Sequence, residues 1–313
     1  MTTLFFATDI HGSDICWKKF LNAGKFYGAD VLILGGDMTG KAIVPVVHRG
    51  GEQYKITLLQ QDFDVQGADE LAEMVRRIRS RGYYPYLTNP DELVELERNP
   101  DRIHEIFMRE VLRVMAEWLE LAETKLAGSG MRVFVAPGND DQFEIDEMLR
   151  SAKHIRLAEG QVVALDAQHE MISSGWSNRT PWNTYREEDE PDLAARYQAM
   201  IAGLRDPRNA VFNIHVPPFK SNLDEAPELD ENLRPKYAGN ALKPVGSTAL
   251  RAAIEKHQPL LSLHGHIHEG RGHSRIGKTL CINPGSLYEQ GVLQGALVKL
   301  GKNKIESYVL TQG

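Results

Sequence analysis

The sequence predicts an α/β fold with parallel strand pairing, and three observations carry that reading. Apolar runs of four to six residues recur along the chain, with the length and continuity of buried strands. Each run is stopped by a short turn in which glycine, proline, asparagine, aspartate or histidine takes over. The first two runs enclose a helical segment, giving the strand–helix–strand opening of a parallel sheet.

Leu4 to Thr8 is the first strand and opens into Asp9-Ile10-His11-Gly12. Ser13 to Gly24 reads as a helix capped by Ser13 or Asp14. Val31 to Leu34 is the second strand, stopped by Gly35-Gly36-Asp37. An excursion over about 41–128 follows. It begins with a hairpin, Ala42 to Val47 and Tyr54 to Gln60, joined across His48-Arg49-Gly50-Gly51. Asn89-Pro90-Asp91 and Asn99-Pro100-Asp101 each place a capping residue before a proline at the first helical position. The second opens a long amphipathic helix with Ile103, Ile106, Phe107, Val111, Val114, Met115 and Trp118 on one face, ended by Gly128-Ser129-Gly130. Strands return at Met131 to Ala136, Ala210 to Ile214, Pro259 to Leu263 and Thr279 to Ile282. They stop at Pro137-Gly138-Asn139-Asp140, His215-Val216-Pro217-Pro218, His264-Gly265-His266 and Asn283-Pro284-Gly285-Ser286. Residues 177–200 and 219–247 read as polar surface segments. The expected organisation is one domain over 1–313 with an inserted α+β segment at about 41–128, serving as a lid or as a packing or dimerisation element.

The chain has 313 residues, 42% hydrophobic and 25% charged, ordinary for a globular protein. A net charge of −7 argues against an extensive nucleic-acid face. Two cysteines, Cys16 and Cys281, provide no disulfide framework and fit a reducing compartment. The start of the chain lacks the basic and apolar regions of a signal peptide, and no apolar run approaches the ~20 residues that span a bilayer. A cytoplasmic protein is expected.

Asp9, His11, Asp37, Asn139, His215, His266 and His268 all fall at or just after strand ends. Each alone is weak, but strand C-termini are where α/β folds place ligand sites. Carboxylate, imidazole and carboxamide donors without thiolate suit Mn, Fe, Ni or Zn, and suit Mg less well. A cluster this rich can hold two divalent ions about 3.5–4 Å apart, bridged by one carboxylate. Asp37, on the middle of the three carboxylate- or amide-bearing strand ends, is the natural bridge. His264 reads as a hydrogen-bonding strand-end residue, and His48, His104, His154, His169, His257 and His273 as surface or loop residues. Lys220, Arg271 and Arg275 are candidates to contact a phosphate, and Arg179, Trp176 and Trp182 to line a substrate cleft.

In order and rough spacing, Asp9-x-His11, Gly36-Asp37, Gly138-Asn139, His215 and Gly265-His266-x-His268 resemble the calcineurin-like metallophosphoesterase family. The resemblance runs from about residue 4 to 288, with 41–128 as a variable insertion. It implies a four-layer α/β/β/α sandwich of two mixed sheets. It also implies that Asp9, His11, Asp37 and His268 bind one metal ion and Asp37, Asn139, His215 and His266 a second. A bridging hydroxide would then attack phosphorus, with Asn139 also touching the substrate and His215 part of the catalytic centre. Asn283-Pro284-Gly285-Ser286 resembles the closing turn of small prokaryotic members.

The sequence departs from the common Gly-Asn-His motif at Gly138-Asn139-Asp140-Asp141. An aspartate beside divalent cations is a poor proton donor, because they favour its ionised form. As an anion Asp140 would repel a dianionic monoester more than a diester. A small phosphodiester or nucleotide is therefore the expected substrate. Alternatively, Asp140 or Asp141 caps a helix starting near Gln142. A phosphomonoesterase or nucleotidase with the same metals, and a non-catalytic scaffold, are the competing functions. The long helix near 101–126 leaves a homodimer open.

Overall fold

Strand residues alternate between two kinds of apolar neighbour, and that alternation builds the layers. A computed structural model describes residues 1–239 and 241–313, with the side chains of all but Tyr237 and Ala238. In Thr2–Ala7, Leu4 and Phe6 face a second sheet, whereas Phe5 and Ala7 face helices. Val31–Leu34 alternates likewise, with Val31 and Ile33 inward and Leu32 and Leu34 outward. The second sheet turns Val211, Leu261, Leu280 and Ile282 inward and Ile172, Phe212, Ile214 and Cys281 outward. Helices Asp14–Tyr27 and Pro100–Leu126 cover the first sheet, and Glu190–Ala202 and Thr248–His257 cover the second. The result is the four-layer α/β/β/α sandwich.

Both sheets are mixed and, among the described residues, six-stranded. The first runs Ile305–Gln312, Gln294–Leu300, Thr2–Ala7, Val31–Leu34, Arg132–Val135, Ile155–Leu157, with the last four parallel. The second runs Gly272–Ile276, Thr279–Asn283, Leu261–Leu263, Val211–Ile214, Glu170–Ser174, Val162–Ala164, with the central four parallel. The two edges that carry parallel C-terminal strand ends meet, so the site draws on both sheets and not on a single edge.

Several expectations change in detail. The first helix runs on to Tyr27, and the Ser13 hydroxyl does not cap it but donates to the Ser80 carbonyl at 2.6 Å. Asn89 and Asn99 do cap: Asn89 accepts from the backbone of Asp91 and Glu92, and Asn99 from Arg102. The hairpin Ile43–Gly50 and Gln53–Leu58 gains a third strand, Gln61–Gln66, and a parallel fourth, Tyr84–Thr88. This small sheet and helix Gly67–Ser80 have their own core of Val44, Val46, Ile56, Leu58, Val65, Met74 and Ile78.

The long helix Pro100–Leu126 instead belongs to the outer layer of the main sandwich. Its Trp118 ring stacks on Trp17 at 5.1 Å, and Val111, Val114, Met115 and Ala122 are buried with it. The apolar face considered for a homodimer is therefore covered within the chain. Residues 177–200 are not all surface, since Arg186, Glu187, Leu193 and Tyr197 are buried. His169 is buried too, with Nδ1 at 2.8 Å from Asp166. Both cysteines are free and buried. Among the described residues no helix is long and apolar enough to cross a membrane.

Candidate metal centre

Three of the strands that end at the site are followed by sharp turns that deliver side chains. Asp9, His11, Asp37 and His266 all adopt left-handed backbone conformations, with φ of 51°, 38°, 51° and 65°. This region is uncommon for residues with a side chain and persists only where surroundings enforce it. Backbone bonds do so here: Asp9 N–H donates to the Gly36 carbonyl and His11 N–H to the Asp37 carbonyl, each at 2.9 Å. Two motif glycines are required by close approach. A Cβ on Gly138 would overlap the Asp37 carboxylate, and one on Gly265 the side chains of Thr8 and Asp9.

Asp9, Asp37 and His215 lie buried at the floor. Asp9 accepts from the Thr8 hydroxyl at 2.6 Å and from His266 N–H at 3.1 Å. Asp37 Oδ1 accepts from Asp140 N–H at 3.0 Å, while its Oδ2 lies 3.4 Å from His215 Nε2 and 3.6 Å from His11 Nε2. His268 Nε2 lies 3.0 Å from His11 Nε2 and 3.4 Å from Asp9 Oδ1. The His266 ring donates to Asn139 Oδ1 at 2.7 Å, and Asn139 Nδ2 donates to Thr184 at 2.9 Å. All seven sequence candidates are thus brought together. Asp140 joins them, with His11 and Asp37 in one group of potential ligand atoms within 4.8 Å of one another. Asp9, His11 and His268 form a second such group, and Asp9, Asp37 and His215 a third.

The donor set fits divalent cations. His215 Nδ1–H donates to the Gly35 carbonyl at 2.9 Å, which points Nε2 at the carboxylates. That Nε2 is buried with no hydrogen-bond partner among the described residues. On both Asp9 and His215, burial and the neighbouring charges act in opposite senses. Burial pushes the Asp9 carboxyl up, but the imidazoles of His215 and His268 outweigh it and hold it well below the usual carboxylate range. Burial alone would lower His215, yet Asp37 and Asp9 raise it to about 10. Burial and the charge of His215 lower His266 to about 3.

The remaining candidates make their contacts with other residues. Arg179 donates to Asp189 at 3.0 Å, Arg271 to the carbonyls of Pro284 and Thr311, and Arg275 to that of Lys278. Lys220 lies over the Phe219 ring. None of these contacts involves a residue of the cluster. Trp176 packs against Arg196 and Phe143, and Trp182 is exposed. His264 bonds the Ile214 carbonyl at 2.9 Å, as a strand-end hydrogen-bonding residue. Asn283 bonds the carbonyls of Gly265 and Ile267 at 3.2 and 2.9 Å, so it holds the Gly-His-x-His loop from outside.

Neither aspartate caps the next helix, Ile145–Ser151, whose N-cap residue is Glu144. Asp141 accepts from Gly138 N–H, Met38 N–H and both the N–H and hydroxyl of Thr39, tying two site loops together. Asp140 faces out to Lys41, whose Nζ lies 3.2 Å from its Oδ2. Lys41 and Tyr288, whose ring packs at 4.7 Å from His11 and 5.8 Å from His268, are not among the sequence candidates. For Lys41 a signal existed, since it lies in the same post-strand loop as Asp37. For Tyr288 there was none.

No family model matches the chain. Over 156 residues it is 30% identical to an uncharacterised protein, MJ1162, of Methanocaldococcus jannaschii, covering 49% of this chain and 64% of that protein. The match thus spans less than two thirds of that relative's length. Among solved structures, TT1561 of Thermus thermophilus is similar with a TM-score of 0.55 at 14% identity, over 100% of this chain and 98% of that one. A second crystal structure gives 0.55 at 17% identity, over 99% and 98%. These likenesses concern the fold.

Proposed function

We propose that this protein is a metal-dependent phosphoric ester hydrolase acting on small phosphodiesters. The observation that carries this reading is the convergence of seven oxygen and nitrogen donors at two sheet edges, with His215 Nε2 buried and unpartnered between two carboxylates among the described residues. Asp9, His11, Asp37 and His268 would hold one cation, and Asp37, Asn139, His215 and His266 another. Bound divalent cations supply charge neutralisation for phosphoryl oxygens and a nucleophilic water at neutral pH. The chain's own residues orient the donors: Gly35 fixes His215, Thr8 holds Asp9, and Thr184 turns Asn139 so that its Oδ1 faces the cluster.

The diester preference rests on residue 140. An ion-paired carboxylate offers no proton to a departing alkoxide, which favours esters with acidic leaving groups. One observation supports a monoesterase or nucleotidase as the second reading: Lys41 offsets the charge of Asp140 and so lessens repulsion of a dianion. The test compares bis-(p-nitrophenyl) phosphate with p-nitrophenyl phosphate on manganese-supplemented protein. The expected result is a higher kcat/KM for the diester, and a higher value for the monoester selects the second reading. Hydrolysis of neither, with less than one transition-metal ion per chain by elemental analysis, points to a non-catalytic scaffold.

A further inference from the structure

Resting on that reading, we propose that Lys41 is a catalytic residue whose ammonium contacts the departing oxygen of the phosphoester, with Asp140 as its positioning residue. Asp9, His11, Asp37, Asn139 and His215 are buried and Asp140 and His268 are partly exposed, so substrate must enter from the side of Asp140 and His268. The Asp140 and His268 side chains are 24% and 27% exposed, and Lys41 is 46% exposed beyond Asp140. Attack and departure in a phosphoryl displacement lie roughly in line. A substrate whose phosphorus faces the buried donors would place its leaving oxygen on the open side, where Lys41 stands beside Asp140.

Arg179, Arg271 and Arg275 are hydrogen-bonded to residues outside the cluster, and Lys220 lies over the Phe219 ring. Lys41 is held in place by a fixed partner: Asp140 is anchored by its own N–H on Asp37 Oδ1, and its carboxylate pairs with Nζ. Asp37 and Asp9 also act electrostatically on Lys41, and Lys41 on His11 and His266, so its charge is felt across the cluster.

The step balances without a further reactant. Water oxygen bonds to phosphorus and releases a proton to solvent. The bond from phosphorus to the leaving oxygen breaks, and that oxygen leaves with the electron pair and takes a proton from solvent. Lys41 keeps its proton throughout and stabilises the developing negative charge by a charge-assisted hydrogen bond.

The test is a leaving-group series. Aryl phosphodiesters whose phenols span a range of acidities are assayed with manganese-supplemented parent protein, Lys41→Met, Lys41→Arg and Asp140→Asn. Removing one preorganised donor is expected to lower kcat by about 10²-fold on phenyl esters, with a much smaller loss on dinitrophenyl esters. Lys41→Arg should restore most of the loss on phenyl esters, and Asp140→Asn should fall between parent and Lys41→Met. A loss by Lys41→Met that is uniform across the series, or a change in KM alone, overturns the role. So does full activity of Lys41→Met. If the parent protein hydrolyses no member of the series, the phosphodiesterase reading itself fails. Unchanged manganese content and circular dichroism of Lys41→Met separate this role from loss of the metal or the fold.

Discussion

At the scale of single residues, adjacent aspartates do opposite jobs because their surroundings differ. Asp141 is sealed under two loops and spends its oxygens on backbone donors, whereas Asp140 turns outward to a lysine. Glu159 shows what burial does when donors are few. It accepts from Gly175 N–H at 2.7 Å, its other oxygen has no partner among the described residues, and burial pushes its carboxyl up to about 7. The folded state therefore binds a proton that the unfolded chain has released, from the ordinary carboxylate range up to about 7. Stability attributable to this group falls as pH rises through that window. Glu159→Gln keeps an acceptor for Gly175 and removes the charge. Thermal unfolding from pH 5 to 8 should show a flatter pH dependence for the variant and a gain of about 3 kcal/mol at the alkaline end. Parallel profiles for variant and parent would contradict the assignment.

At the scale of elements, the sandwich strands legible in the sequence are apolar on both faces, although Glu170–Ser174 and Gln294–Leu300, buried in the same way, go unread. The runs at Leu4, Val31, Met131, Ala210, Pro259 and Thr279 sit between a helix layer and a sheet, so they read as continuous apolar stretches. Gly272–Ile276 and Ile305–Gln312 are edge strands with several residues towards solvent, and neither is read as a strand from the sequence. Glu190–Ala202 hides behind an acidic start that reads as surface, although Leu193, Tyr197, Met200 and Ile201 are buried. The motif residues are legible because each follows a strand end. The contact between Lys41 and Asp140 is not, because it joins two loops far apart in sequence. The long helix is legible as an amphipathic element but its neighbour is not, since nothing local distinguishes a face that meets its own chain from one that meets a copy. Trp118 is central to that face, stacked on Trp17 and donating to Asp14 at 2.7 Å. Trp118→Ala should cost about 3–5 kcal/mol, against about 1 kcal/mol for removing the Asn99 cap. Urea unfolding of the two variants checks the ranking, and equal costs would mean that the helix is only loosely docked.

At the scale of the molecule, the small sheet of residues 43–88 is seated on the loop that presents His11. Arg79 pairs with Asp14 at 2.7 Å, the Tyr84 hydroxyl accepts from Gly40 N–H at 2.7 Å, and Gly82 lies against the His11 carbonyl. We propose that this segment forms a wall of the site, a reading its contacts support over a freely hinged lid. The sandwich itself is closed by sequence-distant pairing: Thr2–Ala7 lies between Val31–Leu34 and Gln294–Leu300, with Thr2 opposite Leu300. A chain truncated before Gln294 should therefore bind manganese no better than the unfolded protein, which equilibrium dialysis would show.

That closing pair also bears on how the protein is made. A ribosome releases the residues of Thr2–Ala7 well before those of Gln294–Leu300, so Thr2–Ala7 waits through the synthesis of the residues between them for one of its two neighbours. Non-local pairings of this kind form late. His266 and His268 emerge only shortly before that partner. A nascent chain stalled before His266 carries Asp9, His11, Asp37 and Asn139 without the imidazoles of His266 and His268 beside them.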